Sequence, residues 1–369
     1  MIFPHDIVGF IECPEPPSRF DDLAIEVFRH QFANVPSYRI LCEARGLTPR
    51  NVSSLHKIPY VSTVAFKYAE LVNRAESSRT GALYFSTSGT TEGPGRRGCH
   101  VVPYPGIYRA SAMTHLRTML FPDHRPLRML AMHPGSDVMS ESSLSTMITW
   151  CAEDFGNGVR AFIADRRGVN YDAAARFLSR AGADCEPVCI LTTTAAFAGL
   201  CEHLETKRER ILLAEGSRMM DTGGAKGQVS PLTPAEVVAR AAEILGIASD
   251  LVINEYGMTE LCSQLYDATA FNSGESNPPG ERVKIAPPWL VPSALDPTTM
   301  EPVDDGEPGL LAFFDLANFG SVSGVATEDI GVVVGNRVRV MGRVAAAEAR
   351  GCALAIGEFE AVERPAAHR

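Results

Sequence analysis

The chain has 369 residues, enough for a large α/β domain with a smaller one beside it. Its 45% hydrophobic content provides for a substantial core, and Lys+Arg 34 against Asp+Glu 44 gives a formal charge of −10. That balance excludes nucleic acid and an anionic membrane surface as main partners, so any phosphate site has to be local. Residues 1–80 read as a helical segment, with helices at 21–32, 37–45 and 64–72 joined by Pro-containing turns. Residues 81–270 read as an α/β core. Strand-like runs at 83–85, 128–132, 159–163, 188–191, 218–220 and 251–254 alternate with helix-like stretches at 107–120, 142–151, 171–181, 195–204 and 234–245. Residues 271–344 read as a β-rich subdomain, a distorted barrel of short strands punctuated by prolines, and 345–369 as a short Ala-rich tail. Residues 1–13 carry Asp6 and Glu12 without a basic cluster, unlike a secretory signal. The 9 scattered cysteines are therefore expected as reduced thiols in the cytoplasm, and no apolar run is long enough to cross a bilayer.

The richest stretch is Tyr84-Phe-Ser-Thr-Ser-Gly-Thr-Thr-Glu-Gly-Pro-Gly-Arg-Arg97. Small side chains from Thr87 to Thr91 let backbone N–H groups turn inward while hydroxyls add donors, which suits a polyphosphate; in isolation the same cluster reads as a surface turn. Asp221-Thr-Gly-Gly-Ala-Lys-Gly227 and Asn254-Glu-Tyr-Gly-Met-Thr-Glu260 both sit at strand ends, where open α/β sheets gather ligands. Ala326-Thr-Glu-Asp-Ile-Gly331 reads as an acidic loop and Met341-Gly-Arg-Val344 as an arginine in a turn. A carboxylate can accept from both ribose hydroxyls, and a guanidinium can reach ribose or phosphate.

In this order the motifs resemble the adenylate-forming superfamily of acyl-CoA synthetases, adenylation domains and luciferases, over about residues 84–343. The resemblance implies activation of a carboxylic acid with ATP and Mg²⁺ to an acyl-adenylate and pyrophosphate. It implies that Thr87, Ser88, Gly89, Thr90 and Thr91 hold phosphates, and that Gly223, Gly224 and Ala225 line the adenine with Tyr256 stacked on it. Thr259 would contact the α-phosphate, Glu260 would hold Mg²⁺, and Asp329 would take the ribose hydroxyls with help from Arg343.

Two departures stand out. The superfamily's loop glycine is Glu92 and its loop lysine is Gly95, with Arg96 or Arg97 as substitutes for the charge. Larger members carry a mobile C-terminal domain with a catalytic lysine, whereas the last lysine here is Lys284, so that domain is expected to be missing. Short forms with this motif order include the acyl-protein synthetases of bacterial bioluminescence, whose Arg-Gly-Cys matches Arg350, Gly351 and Cys352. There the cysteine accepts the acyl group for a reductase; a packed small residue is the alternative. Similar also are short adenylating proteins of phenazine-antibiotic biosynthesis, and the expected substrate is an aromatic acid such as a phenazine carboxylate. A non-catalytic nucleotide-binding module is the rival reading. A dehydrogenase is not: Gly93-x-Gly95-x-x-Gly98 contains Pro94 and two arginines. His133 and Ser136 stand as acyl-pocket or structural residues, and Ser142, Ser143 and Ser145 as a helix cap.

Overall fold

The run at 188–191, apolar at every position, belongs to the middle of a parallel ladder, where both faces are covered and alternation disappears. In the computed structural model, which describes residues 2–14, 17–87, 97–223, 232–274 and 282–343, the fold is α/β. The chain divides into two compact units.

One unit is formed by Met113–Gly257 and Gln264–Ile285. Its parallel strands run in the order Gly156–Phe162, Leu127–Ala131, Val188–Thr193, Arg218–Thr222 and Val252–Tyr256. Antiparallel Leu265–Asp267 and Lys284–Ile285 follow. Helices Tyr171–Ala183, Thr194–Lys207 and Pro234–Leu245 bury Leu178, Phe197, Leu200, Val237 and Ile244 in a core shared with Leu130, Ile190 and Met219. Pro234 opens its helix where a missing N–H costs nothing, and Thr233 and Glu236 form a capping box over that turn. Arg218 interrupts the apolar run without leaving the interior. Its guanidinium donates to Asp123 Oδ2 at 2.6 Å and Leu120 O at 2.7 Å, and lies 4.9 Å from the Phe271 ring.

The other unit is formed by Met1–Ala112, Met258–Ser263 and Ala286–Arg369. Its antiparallel strands are Leu290–Leu295, Pro308–Asp315, Gly324–Val334 and Arg337–Arg343, with Val61–Ser62 parallel to the third. Helix Pro17–Asn34 docks on this ladder through Phe20, edge-on to Phe314 at 6.1 Å, and through buried Gln31, which donates to Ser323 Oγ at 2.9 Å. A separate hairpin pairs Leu83–Ser86 with Cys99–Val102.

Three expectations about elements are corrected. The helix expected at 64–72 is a 3₁₀ turn, Thr63–Lys67, capped by Ser62 and followed by a short helix, Arg74–Ser77. β-Branched Thr63 and Val64 favour no long helix there. The supposed acidic loop at 326–331 lies within the Gly324–Val334 strand, and Arg343 ends the partner strand rather than sitting in a turn. Among the described residues no helix is long and apolar enough to cross a membrane.

Candidate active site

In the first unit the motif residues sit at the carboxyl ends of adjacent parallel strands, with Asn254 opposite Asp221 and Glu255 opposite Thr222. Asp221 is buried, and its carboxylate accepts from Thr194 Oγ1 at 2.9 Å and Asn254 Nδ2 at 3.0 Å. Burial raises its pKa, an effect that nearby Arg282 opposes. Asn254 spends both ends of its carboxamide, since Oδ1 accepts from Lys284 Nζ at 2.7 Å. Lys284 also donates to Asp267 Oδ1 at 2.6 Å, and Arg282 to Asp267 Oδ2 at 2.6 Å. Two buried carboxylates, the buried Lys284 and the partly buried Arg282 therefore share one network, the arrangement that lets charges stay inside. The sequence reading missed it: Lys284 and Arg282 lie about thirty residues past the motif, and only strand pairing brings them back.

Gly223 follows directly, at φ +104, a left-handed value that side chains resist, and its carbonyl accepts from Thr194 Oγ1 at 3.0 Å. Gly224 and Ala225 lie outside the described residues. Tyr256 ends its strand half-buried. The preceding Glu255 is buried and accepts from Thr222 Oγ1. A Cβ at Gly257 would meet that Glu255 carboxylate, so a side chain there would force the carboxylate to move.

In the second unit, Thr87 closes the hairpin. Its N–H donates to Gly98 O at 2.9 Å, and its buried Oγ1 accepts from Gly98 N at 3.0 Å. These bonds bracket the segment holding Ser88, Gly89, Thr90 and Thr91, which lie outside the described residues. Thr259 and Glu260 belong to Met258–Ser263, which has no regular secondary structure. Glu260 is buried, at 9% relative exposure.

Asp329 and Arg343 face each other directly across an antiparallel ladder, Arg343 Nε lying 3.8 Å from Asp329 Oδ1 and Nη2 3.0 Å from Glu328 Oε2. The ladder loses register on both sides of Asp329, between Leu310 and Ala312 on one neighbour and between Ile330 and Gly331 on its own strand. Buried Thr327 spans the irregularity: its hydroxyl donates to Leu311 O at 2.8 Å and accepts from Asp329 N at 3.0 Å. The bulge explains how a strand residue can present a carboxylate at a point that the sequence suggests is a loop. Cys352 lies outside the described residues.

Around the remaining candidates, Ser142 caps Ser143–Asp154 by accepting from Ser145 N at 3.2 Å, while Ser145 Oγ lies 3.3 Å from His133 Nδ1. Burial lowers the His133 pKa. Ser136 N donates to Thr149 Oγ1 at 2.9 Å.

The family model "Acyl-protein synthetase, LuxE" matches residues 16–360. A curated protein of Aliivibrio fischeri, "Long-chain-fatty-acid–luciferin-component ligase", is 22% identical over 352 residues, 91% of this chain and 87% of that protein. One of the same description from Vibrio harveyi is 22% identical over 343 residues, 90% of this chain and 85% of that protein. Among solved structures, an open conformation of 2-hydroxyisobutyryl-CoA ligase with 2-HIB-AMP and CoA superposes at TM-score 0.65 and 16% identity, covering 87% of this chain and 73% of that one. These values establish a shared fold.

Proposed function

Because the chain belongs to the acyl-protein synthetase LuxE family, we propose that it activates a long-chain fatty acid with ATP and transfers the acyl group to its own Cys352. The observation that carries this reading is the family match over residues 16–360, nearly the whole chain. The aromatic substrate expected from the sequence has less support than a fatty acid, because the curated relatives are named as fatty-acid ligases.

In the first step a carboxylate oxygen attacks the α-phosphorus, and the bond to pyrophosphate breaks. In the second, the Cys352 thiolate attacks the acyl carbon, AMP leaves, and the thioester keeps the acyl group activated for a reductase or another acceptor protein. Thr87 to Thr91 bind phosphates, Gly223, Gly224 and Ala225 line the adenine, and Tyr256 stacks on it. Thr259 meets the α-phosphate, and Asp329 with Arg343 holds the ribose. Among the described residues no group of three His, Cys, Asp or Glu side chains could cage a metal. A single carboxylate, Glu260, fits Mg²⁺ of the kind held mainly by nucleotide phosphates, where the ion supplies charge neutralisation when bound. We place the protein in the cytoplasm.

ATP–pyrophosphate exchange across fatty and aromatic acids tests the substrate. The expected result is exchange with long-chain fatty acids and hydroxylamine-sensitive label on wild type but not on Cys352→Ser. Exchange with aromatic acids alone would restore the first expectation, and nucleotide binding without exchange for any acid would favour the non-catalytic module.

A further inference from the structure

Met258–Ser263 carries Thr259 and Glu260 yet has little backbone bonding of its own, chiefly Leu261 N to Met258 O at 3.2 Å. Buried peptide groups need partners, and here they come from side chains distant in sequence. Asn318 grips the segment on both sides of Leu261: Nδ2 donates to Glu260 O at 2.8 Å, and Oδ1 accepts from Cys262 N at 2.8 Å. Asp315 holds the same Cys262 N–H at 3.0 Å through Oδ2, and its Oδ1 accepts from Ser263 Oγ at 2.7 Å. At the other end, His100 Nδ1 lies 2.7 Å from Thr259 O.

Since a carbonyl only accepts, Nδ1 carries the proton, which leaves Nε2 buried and without a partner. All three side chains are buried, at 1% or less relative exposure. At the Ser263 end, Trp289 Nε1 donates to Ser111 Oγ at 2.7 Å and Ser263 Oγ at 3.1 Å. A buried histidine holding the neutral tautomer, and an asparagine bonded at both ends, are costly ways merely to fill space, since apolar residues of similar size would do it.

We propose that Asn318 and His100 are positioning residues for Thr259 and Glu260, fixing the main chain of the segment so that both side chains are presented without reorganisation. Asp315 anchors the segment's far end. The inference rests on the roles given to Thr259 and Glu260 above. Its physical content is preorganisation: a small displacement of a group that meets a developing charge lowers the rate more than it lowers nucleotide affinity.

The test uses three variants and two readouts. Asn318→Asp keeps the shape but replaces the donor to Glu260 O with an acceptor. His100→Asn retains a donor where Nδ1 lies, whereas His100→Gln moves the donor towards the Nε2 position. For acyl-adenylate formation, Asn318→Asp and His100→Gln should lose about ten- to a hundredfold in kcat with the KM for ATP within about threefold, and His100→Asn should recover most of the loss. Hydrogen exchange of peptides covering 258–263 should be faster in Asn318→Asp and His100→Gln by about tenfold, and close to wild type in His100→Asn. Equal kcat in His100→Gln and His100→Asn would overturn the proposal, as would faster exchange with kcat unchanged. The two readings separate cleanly, because exchange is measured without substrate. A wild type that makes no adenylate sinks the functional reading, while unchanged exchange in the variants sinks the clamp.

Discussion

At the scale of single residues, the interior holds ionisable groups whose protonation opposes one another. Burial pushes His100 and His115 down from 6.5 to about 4. Their neutral forms contribute stability that is complete above 6.5 and lost as pH falls through about 4, on the order of 3 kcal/mol each. Asp315 has the opposite sign. Burial pushes it up from 3.8 to about 6, so its contribution is complete below 3.8 and lost as pH rises through about 6. Two histidines outweigh one carboxyl, and acidification from pH 7 to 4 should lower the denaturation midpoint. In His100→Asn the drop should be visibly smaller. Denaturant titrations at both pH values check this, and a midpoint that rises on acidification would contradict it. Asp315→Asn tests the acceptor role: an amide placed against Cys262 N–H and Ser263 Oγ turns one acceptor into a donor, costing about 1–3 kcal/mol.

At the scale of elements, most of the α/β core could be read from the chain. Runs at 188–191 and 218–220, apolar apart from Arg218, mark Val188–Thr193 and Arg218–Thr222, because strands covered on both faces carry no alternation to confuse with anything else. The Pro234–Leu245 helix matches its expected range, its start declared by proline and a capping box. What the sequence could not show was pairing between distant segments. Nothing in the sequence ties Lys284 to Asp267 and Asn254; the pairing of Lys284–Ile285 with Leu265–Asp267 carries it to them. Likewise Asp329 reads as a loop residue because acidic residues are poor strand formers, and only the register break on both sides of it explains its place. That geometry leads to a prediction. If Asp329 accepts two hydrogen bonds from ribose, Asp329→Ala should weaken ATP binding by roughly 1.5–3 kcal/mol, measured by calorimetry. Thr327→Val should weaken it less, because it removes only the hydroxyl that orients the Asp329 amide. An unchanged Kd in Asp329→Ala would make the bulge purely structural.

At the scale of the whole molecule, the last described strand bears on delivery. Arg343 ends it, and Cys352 comes nine residues later in the chain. Fully extended, nine residues reach roughly 30 Å, so the thiol is leashed within that radius of the Arg343 backbone. One thiol in such a sphere corresponds to an effective concentration on the order of 10 mM, far above any diffusible acceptor at ordinary protein levels. Self-acylation should therefore be first order, with a rate constant unchanged when enzyme concentration varies a hundredfold. A rate that climbs with concentration would mean that one copy loads another. Under the proposed roles, the strand whose Arg343 would help to hold the ribose also sets, through this tether, how far the activated acyl group would have to travel to reach its acceptor thiol.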